Sequence, residues 1–220
     1  MKAALNITIL LRSAAEFARI QSNKNEPTLY GVTDGKAVGT FLERRFMEYL
    51  EQHFTFTMGN AAKGIDLPAL DVDLKTTSMK QPQSSCPYKS ARQKIYGLGY
   101  SLLVFVYEKT DDQTAQTGRL AIRHVVFVKA VQTADHQTTR GIHNLLDNNA
   151  NEDDLVAFME DRFLPVDEIE ARRLAKEILA NRPALGYRTI SNALQWRLQY
   201  KRVIDLAGTV EGVDRVYAPA

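Results

Sequence analysis

The chain has 220 residues, 45% hydrophobic and 25% charged, the make-up of an ordinary folded protein with room for one sizeable α/β domain or a domain with a small appendage. Lys and Arg number 28 against 26 Asp and Glu, a net charge of +2, so any surface that meets a polyanion must be local. A single cysteine, Cys86, excludes an internal disulfide framework and a thiolate zinc cluster, and fits a reducing cytoplasm.

The opening "MKAALNITILLRSAAEFARI" mimics a secretion signal, but Arg12, Glu16 and Arg19 interrupt it and no small-residue cleavage site follows. It is predicted as an amphipathic helix over 4–21, with Leu5, Ile9, Phe17 and Ile20 on its apolar side. No apolar run approaches the ~20 residues that a membrane-spanning helix needs. After the polar break "SNKNEPTLYGVTDG", a second helix is predicted over 36–54, where Val38, Leu42, Phe46, Tyr49 and Leu50 recur at helical spacing.

The next segment, "GIDLPALDVDLKTTS", alternates polar and apolar residues as a strand does, yet holds Asp66, Asp71, Asp73 and Lys75. Asp73 and Lys75 are two apart and share a face, while Val72 and Leu74 take the other. Asp66 precedes Asp73 by seven residues across "LPAL", where Pro68 suits a bend. Like charges this close need a compensating partner. Two carboxylates, a backbone carbonyl such as that of Leu74, and waters would suit a hard divalent cation. Such an ion activates water and stabilises charge on phosphate, while a lysine beside it orients the water. A solvated edge strand with a local ion pair is the competing reading. On the preceding helix, Glu43 is flanked on one face by Gly39, Phe46, Met47 and Leu50, which calls for a partner to hold its carboxylate.

"SARQKIYGLG" reads as a short basic helix or turn, and "YSLLVFVYEK" as a central buried strand. "TDDQTAQT" reads as a hairpin loop and "GRLAIRHVVFVKA" as another strand. "HQTTRGIHNLLDNNANEDDL" is polar and expected to be loop-rich, followed by helices in "LVAFMEDRF" and "DEIEARRLAKEILANR", the latter capped by Asp167. In "RTISNALQWRLQ", a helical projection gathers Arg188, Asn192, Gln195 and Gln199 on one side, with Ile190, Ala193, Leu194 and Leu198 opposite. Arg, Asn and Gln are the side chains that read base edges in the major groove. A hairpin in "VIDLAGTVEGVDRVY" would follow as a wing, giving a winged helix-turn-helix pattern. The alternative is an amphipathic helix whose polar side meets water. Residues 79–109 hold Lys80, Lys89, Arg92, Lys94 and Lys109 against Glu108 alone, a local basic surface for flanking phosphates.

"GKAVGTFLE" and "MGNAAKGIDLPALDVDLKT" resemble the active-site region of the MutH mismatch-repair nicking enzyme and its restriction-endonuclease relatives, of the PD-(D/E)xK nuclease superfamily. The resemblance covers roughly residues 30 to 80. Asp66, Asp73 and Lys75 fall at the family's spacings, Glu43 falls on its helical glutamate, and Lys36 lies within one position of a lysine before it. Asp73 stands where MutH-like enzymes carry Glu, and the interval from Glu43 to Asp66 is longer. The resemblance implies magnesium-dependent (Mg2+) cleavage of duplex DNA that leaves a 5′-phosphate.

Four scattered histidines lack metal-ligand spacing, and no Walker loop is present. The expectation is therefore an α/β protein: a restriction-endonuclease-like mixed sheet flanked by helices over 1–160, and a C-terminal winged-helix unit over 161–220. Its expected function is that of a cytoplasmic type II restriction enzyme. Asp66, Asp73 and Leu74 would bind magnesium, Lys75 and Glu43 would complete the catalytic set, and Lys36, Lys89, Arg92, Lys94, Arg188, Asn192, Gln195 and Gln199 would contact DNA. A homodimer on a palindromic site is expected, with a cognate DNA methyltransferase in the same system that is not a physical partner. A repair or recombination nuclease of the same fold, and a non-enzymatic winged-helix regulator, are the alternatives.

Overall fold

The computed structural model describes residues 2–57, 59, 64–85, 87–190 and 197–219. In chain order its first elements are β1 (Ala3–Ala4), α1 (Ile7–Ser22), β2 (Asn25–Glu26), α2 (Gly35–His53), β3 (Phe54–Thr55), β4 (Val72–Ser78) and β5 (Gln83–Ser85). There follow α3 (Ala91–Tyr96), β6 (Ser101–Asp112), β7 (Thr117–Val128), α4 (His136–Asp147), α5 (Glu152–Asp161) and α6 (Glu168–Ala180). The last are β8 (Thr189–Ile190), β9 (Arg197–Gln199), α7 (Lys201–Leu206) and β10 (Val213–Tyr217). Two compact units emerge, one of residues 1–84, 101–128 and 203–220, the other of 85–100 and 129–202.

The first unit is built on a mixed sheet in the order β10-β7-β6-β4, with β2 also paired to β7. β4 runs parallel to β6, and β6 and β10 run antiparallel to β7. The near-continuous apolar run of β6 suits its central place: Leu102 through Val106 are all buried. Both long helices start as their sequences dictate. Asn6 accepts a hydrogen bond from the Ile9 amide at 2.9 Å, and Asp34 accepts from the Lys36 and Ala37 amides at 3.0 and 3.3 Å. Their apolar stripes, Leu10, Ala14 and Phe17 on α1 and Val38, Leu42, Phe46 and Leu50 on α2, close over Val72, Leu74, Leu103 and Phe105 of the sheet. Phe17, Phe46 and Phe105 meet at centroid distances of 4.9 to 5.9 Å, which fixes α1 and α2 against β6.

The second unit packs α3 to α6 around Ile95, Ile142, Leu155, Met159, Leu174 and Ile178. Asp167 caps α6, as expected, by accepting from the Glu170 amide at 2.8 Å. The stretch expected to be loop-rich instead forms α4: Asp135 caps it through the Thr138 amide at 2.9 Å, and Thr138, Thr139 and Ile142 present a buried side. Its polar threonines bury because Asp135 and the backbone satisfy their hydroxyls.

Three expectations for the C-terminal region are corrected. The described ends of the expected recognition helix are strands: Thr189–Ile190 and Arg197–Gln199 are β8 and β9, paired antiparallel with Thr189 opposite Gln199 and Ile190 opposite Leu198, and residues 191–196 lie outside the described residues. Asn192 and Gln195 lie outside the described residues. Nor is Val213–Tyr217 half of a wing: it is β10, hydrogen-bonded to Val125–Val128 of the first unit's sheet. The division near residue 160 accordingly gives way to units in which the last strand belongs with the first helices.

Candidate active site

Strand alternation sets the site. On β4, Val72 and Leu74 enter the apolar core beneath α2, and Asp73 and Lys75 share the other side. The Lys75 ammonium lies 2.6 Å from Asp73 Oδ2. β4 is the outermost strand of its sheet order, so the Leu74 amide and carbonyl, which point away from β6, must find other partners. The amide donates to Asp66 Oδ2 at 2.8 Å, and the carbonyl accepts from Lys75 Nζ at 3.1 Å. Pro68–Leu70 forms a 3₁₀ turn that folds Asp66 back onto the strand. Asp71, the third aspartate, ends that turn at φ 50°, a left-handed conformation that Asp tolerates, and its carbonyl accepts from the Ser101 amide at 2.8 Å.

Glu43 arrives from α2. Its Oε1 accepts from the Thr76 hydroxyl at 3.1 Å. Glu43, Gly59, Gly64, Ile65, Asp66, Asp73, Leu74 and Lys75 line one cavity of about 270 Å³. Four residues picked out by sequence spacing, together with the Leu74 backbone, therefore meet in one place. Asp66 and Asp73 line the same cavity, and Asp66 lies close enough to act on the Asp73 carboxyl.

The electrostatics follow from burial. Asp73 is 3% exposed, and its carboxyl is pushed up to about 6 by burial, with Lys75 pulling back and Asp66 adding to the rise. Burial likewise pushes Glu43 up to about 7, against the pull of Lys75 and the Thr76 hydrogen bond, with Asp66 and Asp73 reinforcing the rise. Three carboxyls face one ammonium, an excess of oxygen donors that a hard divalent cation would balance. Lys75 Nζ already gathers Asp73 Oδ2 and the Leu74 carbonyl, so these two oxygens lie within reach of a single cation. Among the described residues, no three His, Cys, Asp or Glu side chains form a ready-made cage. The donor set thus fits an ion that takes two carboxylates and a carbonyl and fills its remaining positions with water or phosphate oxygens.

Elsewhere the expected DNA contacts divide. Lys36, in the first turn of α2, and Lys89 are exposed, as is Gln199 on β9. Arg92 is exposed but engaged by Glu177 at 2.7 Å and lies over the Tyr96 ring. Lys94 is corrected: α3 turns Ala91, Lys94 and Ile95 inward, and Lys94 is only 3% exposed. Arg188 is also corrected. It is fully buried, its guanidinium 4.4 Å from the Tyr200 ring centroid and without a hydrogen-bond partner among the described residues. The sequence reading missed Thr76 and the cavity-lining Gly59, Gly64 and Ile65. Thr76 was open to detection, since it falls on the strand positions that face α2.

A family model described as "Type II restriction enzyme NspV" matches residues 4–215. The type II restriction enzyme NspV of Nostoc sp. (strain ATCC 29411 / PCC 7524) is 60% identical over 213 residues, covering 97% of each chain. No solved structure matches. With a match over almost its whole length, this chain belongs to the type II restriction enzyme NspV family and is a site-specific endonuclease.

Proposed function

We propose that this chain cuts both strands of duplex DNA at a defined sequence by magnesium-dependent hydrolysis, using a PD-(D/E)xK site that leaves 5′-phosphates. The observation that carries the reading is that Glu43, Asp66, Asp73, Leu74 and Lys75 line a single cavity at the outer strand of the sheet. Asp66, Asp73 and the Leu74 carbonyl would hold the magnesium ion. When bound, that ion supplies electrophilic stabilisation of the phosphate and a more acidic water.

The chain's own residues do the rest. Asp66, tied to the Leu74 amide, keeps the loop and the strand in register so that both aspartates present oxygen to one point. Lys75 carries its positive charge beside Asp73, where it orients the attacking water and offsets charge on the phosphate. Glu43 completes the acidic wall from α2. Attack of water on phosphorus breaks the bond to the 3′ oxygen, giving a 3′ hydroxyl and a 5′-phosphate. Lys36 lies seven residues before Glu43, about 10 Å along the same helix face, placed to meet a flanking phosphate. Lys89 and Gln199 are further contacts from the second unit. A homodimer would bring two such sites to a palindrome, one per strand. A cognate DNA methyltransferase would protect the same sequence without forming a complex. No helix among the described residues is long and apolar enough to cross a membrane.

Incubating the purified chain with phage DNA and magnesium tests the reading. Discrete fragments whose sequenced ends share one motif and a 5′-phosphate are expected, with none formed in chelator. Smears or isolated nicks would point instead to a nuclease that reads DNA structure. Full cleavage by Asp73→Asn would remove the site from the reaction.

A further inference from the structure

The Glu43 carboxylate comes from a helix and must reach round the edge of a strand to join Asp66 and Asp73. Two features of the helix–strand contact govern that reach. Thr76, directly after Lys75 on β4, donates its hydroxyl to Glu43 Oε1 at 3.1 Å. Gly39, one turn before Glu43 on α2, leaves the space that hydroxyl occupies: a Cβ built at Gly39 would lie 2.6 Å from Thr76 Oγ1. Thr76 alternates with Lys75, so its side chain takes the helix-facing side while Lys75 takes the other. One dipeptide thus serves both faces of the strand. Lys75 pairs with Asp73, and Thr76 holds the glutamate that arrives from across the layer.

We propose that Thr76 is a positioning residue for cleavage, which aims the Glu43 carboxylate into the acidic cavity through a hydroxyl that the absence of a side chain at Gly39 admits. The inference rests on the nuclease reading of that cavity. A hydroxyl at this point donates to one carboxylate oxygen and leaves the other directed by it, which narrows the rotamers open to Glu43. Without the donor, a half-buried carboxylate among apolar neighbours turns toward water. The expected phenotype is therefore a loss of turnover and of divalent-ion affinity while the fold persists.

The experiment compares Thr76→Val, Thr76→Ser and Gly39→Ala in the full chain. It reads plasmid cleavage across a magnesium titration, manganese binding by calorimetry without DNA, and thermal melting. Thr76→Val keeps the shape and removes the donor, and should lower cleavage about 10- to 100-fold and weaken manganese binding, as loss of an orienting partner does. Thr76→Ser should recover most of both. Gly39→Ala pushes on the same hydroxyl from the helix side while favouring the helix, so it should lose cleavage without melting earlier. That combination separates aiming of Glu43 from general stability, and it stands even where Thr76→Val folds poorly. Wild-type cleavage by Thr76→Val or by Gly39→Ala overturns the proposal, as does a Thr76→Ser protein no better than Thr76→Val. Asp73→Asn is run alongside. If it too cuts normally, the nuclease reading of the cavity has failed. If it is inactive while Thr76→Val is unaffected, only the role of Thr76 is lost.

Discussion

Asp66 accepts a hydrogen bond from the Leu74 amide at 2.8 Å, so an acidic side chain caps the outward edge of the strand that carries the other acidic residue. On the proposed reading the carboxylate has two duties, one to the fold and one to the chemistry, and substitution separates them. Asp66→Asn keeps a side-chain oxygen to accept from Leu74 and should melt close to the parent protein. Asp66→Ala orphans an amide on a residue only 1% exposed and should cost about 1–3 kcal/mol in urea unfolding. Both should lose more than about 100-fold in cleavage rate. Equal stability of the two variants would show that the capping bond carries no weight.

Lys75 and Asp73 form a second dependent pair. Lys75→Met leaves a buried carboxyl without its ammonium. The side chain of Lys75 is 25% exposed, so the destabilisation should be roughly 1–3 kcal/mol, below the cost for a fully buried pair. In an Asp73→Asn background the same change should cost at least about 0.5 kcal/mol less, since the charge it would strand is already gone. A double-mutant cycle by chemical denaturation measures this coupling.

The raised carboxyls make stability depend on pH in a defined direction. Asp73 moves from 3.8 to about 6 and Glu43 from 4.5 to about 7 on folding, both through burial. Between the unfolded and folded values the native state binds more protons, so their contribution to stability falls as pH rises through that window. Melting temperature in chelator should decline across it, and Glu43→Gln should flatten the decline. On the proposed reading magnesium would take the ionised forms, so any rise in melting temperature that it produces should be larger at the alkaline end. Calorimetric melts at stepped pH, with and without magnesium, check both signs.

Lys36 gives a test on the DNA side. If it neutralises one phosphate, Lys36→Ala should weaken binding of different sequences to the same degree. It should also reduce the slope of log affinity against log salt by about one. Filter binding in calcium over a range of salt reads this, and an unchanged slope would remove Lys36 from the interface.

Arg188 is a charged group buried against a ring with no hydrogen-bond partner among the described residues, an arrangement that commonly lowers stability. Arg188→Met should keep the packing on Tyr200 and raise stability by about 1–4 kcal/mol. The companion measurement is DNA affinity. A gain in stability with no change in affinity would show that Arg188 serves neither recognition nor folding.

How much of this was legible in the sequence depended on how local the governing pattern was. Glu43 lay on a helix whose stripe from Val38 to Leu50 repeats cleanly, and Asp73 and Lys75 lay on a strand with plain alternation, so their placement followed from periodicity. The C-terminal stretch misled because "ISNALQWRLQ" satisfies a helical projection, while Arg197 to Tyr200 also alternates, exposed then buried, as a strand does. Tertiary pairing chose the second pattern. Local charge balance puts Lys94 on the surface and a helical projection puts Arg188 there, and neither registers the side of a short helix or strand that turns inward. The partnership of Thr76 with Glu43 spans 33 residues and needs the helix to be laid against the strand before it exists.

The sheet that carries the site draws its outer partner for β7 from residues 213–217, after the whole intervening 129–202 portion of the second unit. On a ribosome, Val125–Val128 therefore waits unpaired along that edge while the second unit is synthesised, and only residues 213–217 supply the missing neighbour. Such far-separated pairing slows assembly. For an enzyme whose product is broken DNA, it also ties the finished cutting scaffold to synthesis of residues 213–217, so that chains terminated before them emerge without it.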